Sequence, residues 1–143
     1  MKQLAELYKR ELLENVLPFW IANSGDEENG GFFTCLDRQG KVFDTDKFMW
    51  LQGREVWMFS MLHDKLGANA QWKDMALHGA KFMEKHGRDA EGNWYFSMTK
   101  EGKPLIQPYN IFSDCFAAMG FGALYKIAPD ERYHAIAKDT FDN

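Results

Sequence analysis

The sequence has no run of lysine or arginine, no apolar stretch long enough to cross a bilayer and no paired-cysteine motif. Each absence removes a class of function. With 17 basic and 21 acidic residues the net charge is −4 and the pI is near 5.5. That balance argues against nucleic acid or an acidic membrane surface as partner. Glu6, Lys9, Arg10, Glu11 and Glu14 interrupt the first apolar pattern, which therefore is not the apolar region of a signal peptide. The expected location is the cytoplasm. Cys35 and Cys115 lie far apart and in no CxxC pattern, which fits reduced, packing cysteines better than a disulfide framework or a zinc site. No Gly-rich phosphate loop of the GxxxxGKS kind is present either.

What is present is a repeat. Gly30, Phe32, Phe33, Gly40, Phe59 and Leu62 recur as Gly92, Trp94, Tyr95, Gly102, Phe121 and Leu124, a period of about 62 residues. Repeated supersecondary units bury their cores by stacking on neighbours. A third unit opens near Asp130, so residues 1–143 read as the N-terminal part of one larger ring-shaped domain. Six such copies need roughly 370 residues, of which this chain supplies about two-fifths.

Within each unit the pattern alternates. A first helix over about Lys2 to Asn23 carries Leu4, Leu7, Tyr8, Leu12, Val16 and Trp20 at helical spacing, with charges opposite. Residues 32–43 read as a β-hairpin around Gly40. Asp44, Thr45 and Asp46 are expected to cap a second helix over about Lys47 to Leu66, which is apolar nearly all round and therefore buried on several sides. A third helix, about Ala70 to His86, is amphipathic, and a second hairpin over 94–107 leads into an almost wholly apolar helix over Ile111 to Ile127. Alternating outer and inner helices predict an all-α toroid of helical hairpins, with both β-hairpins at one end.

The strings GGFFTCLDRQGKVFDTDK and WLQGREVWMFS closely resemble the N-acylglucosamine 2-epimerase family, which includes cellobiose 2-epimerases and aldose-ketose isomerases. The resemblance implies an (α/α)6 barrel and interconversion of N-acyl-D-glucosamine and N-acyl-D-mannosamine by proton removal and return at C2. It places two acid/base histidines on later inner helices, outside this chain, and matches Arg54 to an arginine that binds substrate oxygens. It implies no redox cofactor or catalytic metal, and the nucleotide that activates some members has no motif here.

Trp50 lies one turn before Arg54, so both emerge on one face near a helix N-terminus, where the helix dipole favours developing negative charge. Arg54 is the expected catalytic residue, and Trp50, Phe112 and Asp114 are the expected substrate-binding residues. The plainer alternatives are an ion pair of Arg54 with Asp44, Asp46 or a carboxylate from the rest of the expected ring, core packing for Trp50, and helix capping for Ser113 and Asp114. Trp57 reads as core, and Gly53 as a point of close helix packing. His63, His78, His86 and His134 fall toward helix ends or on polar faces. The expected partner is a small amino sugar, with a homodimer left open, and residues 1–143 alone are expected to be inactive. A related isomerase or 2-epimerase acting on a free sugar is the second reading. A non-catalytic protein-binding module on the same helices is the third.

Overall fold

The computed structural model describes residues 1–108 and 110–143. The N-terminal helix forms as α1 (Lys2–Glu11) and α2 (Leu17–Asn23), joined by a π-helical turn over Leu12–Val16. There the Leu17 N–H donates to the carbonyl of Leu12, five residues back. Pro18, next in sequence, has no N–H for the Glu14 carbonyl, so the ladder shifts. Leu17 is buried, but Leu4, Leu7 and Tyr8 of the expected apolar face are exposed.

The first hairpin pairs β1 (Cys35–Leu36) with β2 (Val42–Asp44), antiparallel, around a turn in which Asp37 Oδ1 accepts from the N–H groups of Gln39 and Lys41. Gly40 closes that turn at φ +85°, and its repeat equivalent Gly102 adopts +84°. Such values suit glycine. The expected helix start is corrected: Lys47–Phe48 form a strand, β3, and α3 spans Met49–Leu66 with Phe48 at the N-cap. Asp44 Oδ1 is turned to the Asp46 N–H rather than to the helix. The strand exists because Lys47 and Phe48 pair with Met98 and Ser97 of β4 (Ser97–Met98), which also pairs with β5 (Pro104–Ile106). That non-local pairing wins over a helical start.

Helix α4 (Ala70–His86) is capped by the Asn69 side chain, and α5 (Phe112–Ile127) and α6 (Glu131–Asp142) complete the chain, with Asp130 capping α6. Capping of α5 by Ser113 or Asp114 is not seen. Asn110 Oδ1 accepts from the Phe112 N–H instead, at 3.0 Å, while the Ser113 hydroxyl is buried without a partner among the described residues. Helix α3 packs closely on α5, with α4 against α3 and α6 against α5. Inner and outer helices thus alternate as expected.

The two units also share a core. Phe32 and Trp94, Phe59 and Phe121, and Leu62 and Leu124 are buried at equivalent positions. Gln52, fully buried, holds Phe32 by both backbone groups: its Oε1 accepts the Phe32 N–H and its Nε2 donates to the Phe32 carbonyl, each at 2.8 Å. Trp94 donates its indole N–H to the Thr140 hydroxyl at 2.9 Å, tying the second unit to α6. Satisfying these groups is what permits such large side chains to be buried with polar backbone beside them.

Candidate active site

At the N-terminal end of α3, Lys47 ties the loop that precedes the first hairpin to the turn of the second. Its Nζ donates to Asp26 Oδ2 at 2.7 Å, to the Gly30 carbonyl at 2.6 Å and to the Lys100 carbonyl at 2.8 Å, with the Phe82 ring 4.4 Å below. The Lys47 and Asp26 side chains are almost wholly buried. A buried ammonium is tolerable only when its donors are satisfied and its charge is matched, and all three donors are used here. Burial works against ionisation of Asp26, but Lys47 and Asn29 hold its carboxyl below the usual range. The Met49 N–H donates to the Phe96 carbonyl at 3.0 Å, bringing the second hairpin over the start of α3.

Beneath this junction lies a cavity of about 330 Å³ lined by Trp50, Arg54, Phe96, Asn110, Phe112 and Phe116. Trp50 and Phe112 are repeat equivalents, and so are Arg54 and Phe116. The two inner helices therefore present matching positions to one space. They come this close because Gly53 and Gly120 lack side chains at the crossing: a Cβ on Gly120 would stand 2.8 Å from the Gly53 carbonyl oxygen.

Arg54 is solvent-exposed, and among the described residues no carboxylate lies within ion-pair distance of it. The ion pair with Asp44 or Asp46 does not form. The guanidinium carbon instead sits 5.2 Å from the centroid of the Trp50 ring and 4.7 Å from that of Phe116, in the V between two rings inclined at 44°. Aromatic faces attract the cation without occupying its N–H donors. The site thus offers a guanidinium whose planar donors no described residue occupies, set against apolar walls. That combination suits an uncharged polyol whose oxygen acquires negative charge during reaction.

The structure brings Trp50, Arg54 and Phe112 together and places Asp114 elsewhere. Asp114 lines a separate groove with Ile111, Cys115, Ala118, Thr140 and Phe141, where burial raises its carboxyl pKa. Cys115 is exposed there, while Cys35 is half-buried. Asn110 stands at the start of the second inner helix, the end that repeat symmetry turns to the mouth shared with Trp50 and Arg54, whereas Phe96 and Phe116 are not expected from sequence. The repeat carries the signal for Phe116, since it maps Arg54 onto it, whereas Phe96 is placed at the cavity by contacts distant in sequence, among them the backbone bonds to Met49 and Ile106 and the edge-to-face packing on Phe48. Tyr109, which precedes α5, lies outside the described residues. Among the described residues no histidine lines the cavity. His78 Nε2 is 2.8 Å from the Gly31 carbonyl, His63 Nδ1 is 2.8 Å from that of Asn69, and His86 stacks near Phe82.

Next to Arg54, Glu55 points away from solvent, and its Oε2 is enclosed without a hydrogen-bond partner among the described residues. Burial pushes its carboxyl up to about 7, although the Arg54 charge pulls the other way.

Alternating inner and outer helices, with an arginine among aromatic rings at the hairpin end, define an arc of an (α/α)6 barrel of the sugar-epimerase kind. A crystal structure of a sugar epimerase from a ruminal bacterium superposes on 97% of this chain with a TM-score of 0.88 at 28% identity, this chain covering 36% of it. A cellobiose 2-epimerase from Bacillus thermoamylovorans shares the fold at TM-score 0.87 and 23% identity, over 99% of this chain and 37% of that one. Residues 31–143 match the model of the N-acylglucosamine 2-epimerase family, and the chain belongs to that family. It is 38% identical to the human N-acylglucosamine 2-epimerase over 91% of its length and 35% identical to the mouse enzyme over 99%, covering 31% and 35% of those proteins. It is 30% identical to the cellobiose 2-epimerase of Bacteroides fragilis over 89% of its length, covering 33% of that enzyme. The chain spans about a third of the length of the curated relatives it matches.

Proposed function

We propose that this chain supplies the cationic wall of the active site in an enzyme that interconverts N-acyl-D-glucosamine and N-acyl-D-mannosamine. The observation that carries the proposal is Arg54: a guanidinium exposed in an aromatic cavity, with no carboxylate paired to it among the described residues. In the open-chain sugar, a base takes the C2 proton and the C–H electron pair moves into the C1–C2 bond, leaving negative charge on the C1 oxygen. Arg54 donates to that oxygen and stabilises the charge. An acid then returns a proton to the opposite face of C2, regenerating the aldehyde with inverted configuration. The exchange is redox-neutral and consumes no oxidant. Trp50 and Phe112 supply apolar faces against which a sugar ring or chain packs.

The family resemblance assigns the proton transfers to two histidines on later inner helices; among the described residues the polar side chains lining the cavity are Arg54 and Asn110. The acidic balance of the chain supports a small neutral substrate rather than a nucleic-acid or membrane partner, and the charged residues that interrupt its first apolar pattern support a cytoplasmic location. Among the described residues no helix is long and apolar enough to cross a membrane. The relatives named cellobiose 2-epimerase favour a second reading, in which a free sugar is the substrate. Turnover of N-acetylmannosamine, cellobiose and mannose by the full-length protein, compared side by side, separates the two. Running the reaction in deuterated water tests the mechanism. Proton transfer through side chains places deuterium at C2 of the product, and product without label contradicts it.

A further inference from the structure

We infer that Phe116 is a positioning residue for Arg54, holding the guanidinium from the neighbouring inner helix so that its donors stay aimed into the cavity; this rests on the function proposed above. Three observations converge on it. The Phe116 ring is the nearer of the two aromatic faces, at 4.7 Å from the guanidinium carbon against 5.2 Å for Trp50. The Phe116 backbone also fills the space a Cβ on Gly53 would occupy, at 2.7 Å from its carbonyl oxygen, so the crossing that seats the ring is fixed one residue before Arg54. Lastly, Phe116 occupies in the second unit the position that Arg54 occupies in the first. One copy of the repeat carries the charge, and the other carries its support.

The chemistry explains why a ring stands where a carboxylate would ordinarily be found. A carboxylate beside Arg54 would use two of the donors in bidentate fashion and cancel the charge. An aromatic face attracts the cation through its quadrupole and leaves all five N–H groups in the guanidinium plane free. An exposed arginine side chain otherwise samples many rotamers, and every misdirected one is a nonproductive arrangement. The Trp50 ring alone, on the same helix as Arg54, leaves the guanidinium free to swing away from α5. Phe116 closes that direction.

The test uses the full-length protein with Phe116→Leu, Phe116→Tyr, Arg54→Ala and the Phe116→Leu/Arg54→Ala double variant, assayed on N-acetylmannosamine. Phe116→Leu is expected to lower kcat by about tenfold with KM changed less than about twofold, because the loss is of orientation rather than of substrate contact. Phe116→Tyr keeps the ring face and is expected to remain within about twofold of the unsubstituted protein. In the Arg54→Ala background Phe116→Leu is expected to cost nothing further, since the group it positions is gone. Equal losses in both backgrounds, or equal losses for Leu and Tyr, overturn the inference. A readout independent of substrate is the Arg54 Nε–H resonance, assigned by its disappearance in Arg54→Lys. It is expected to move on Phe116→Leu as the ring current is lost, and an unmoved resonance overturns the inference. If the unsubstituted protein turns over none of the sugars while the resonance moves, the positioning contact stands and the assigned function falls.

Discussion

A Cβ on Gly53 would stand 2.7 Å from the carbonyl oxygen of Phe116, so α3 and α5 touch backbone to backbone at that point. The contact sets the distance between the inner helices and, with it, the shape of the cavity. Gly53→Ala forces the helices apart or bends one of them, and overpacking of this kind costs about 1–3 kcal/mol. The expected outcome is a lower unfolding midpoint together with reduced turnover in the full-length protein. An unchanged midpoint would show that the crossing has slack.

Lys47 is expected to matter more than any other charged side chain for the fold. Lys47→Met leaves Asp26 buried without its cation, and breaking a buried pair from one side costs about 3–5 kcal/mol. The double variant Lys47→Met/Asp26→Leu is expected to recover a large part of that loss, because neither charge then remains uncompensated. Chemical denaturation of the unsubstituted chain, the two single variants Lys47→Met and Asp26→Leu and the double variant measures both effects. Additive losses would show that the pair does not act as a unit.

Much of this arrangement was legible in the sequence, and the part that was not has a common cause. The repeat identified the buried pairs Phe32/Trp94 and Phe59/Phe121, and the amphipathic spacing bounded α4 at Ala70–His86. Helical spacing, the repeat and a family motif single out Trp50, Arg54 and Phe112 as candidates, and the three share a cavity. The local pattern places Lys47 in the first turn of a helix, and nothing within its own neighbourhood contradicts that. Its strand conformation is set by Met98 and its ion pair by Asp26, both distant in sequence. Phe96 entered the cavity by the same route, and Asp114 was expected there because the pattern gives the end of a helix but not which of its faces meets which neighbour.

Glu55 makes stability pH-dependent with a known sign. Its carboxyl is pushed from 4.5 up to about 7 in the folded chain, so the protonated form is the one the fold prefers. Its contribution is complete below about pH 4.5 and is lost as pH rises through about 7. Glu55→Gln, which resembles the protonated form, is expected to raise the unfolding midpoint at pH 8 by the equivalent of up to about 3 kcal/mol and to change it little at pH 4.5. A uniform effect across that range would mean that burial does not govern this group.

The 143-residue chain by itself is expected to leave N-acetylmannosamine unchanged. Among the described residues its cavity is lined by a cation and aromatic walls, with no histidine or carboxylate to carry the C2 proton. Exposed Ile111, Phe112, Met119 and Phe141 on and beside α5 and α6 also give it a tendency to self-associate. Incubation followed by chromatographic separation of the two amino sugars tests the first point, and sedimentation at several concentrations tests the second. Turnover by this chain alone would place the acid and base within it, and a monomer insensitive to concentration would count against the exposed surface.

The central claim is that the Arg54 guanidinium stabilises charge developing on a substrate oxygen, and turnover of Arg54→Ala in the folded full-length protein tests it most directly. Loss of one preorganised donor of this kind lowers the chemical rate by about 10²-fold or more. Arg54→Lys is expected to recover only part of that, because an ammonium does not reproduce the planar fork. The unfolding midpoint, read on the same samples, is expected to change little, since Arg54 is exposed and makes no ion pair among the described residues. A folded Arg54→Ala protein that turns over substrate at nearly the unsubstituted rate would contradict the account.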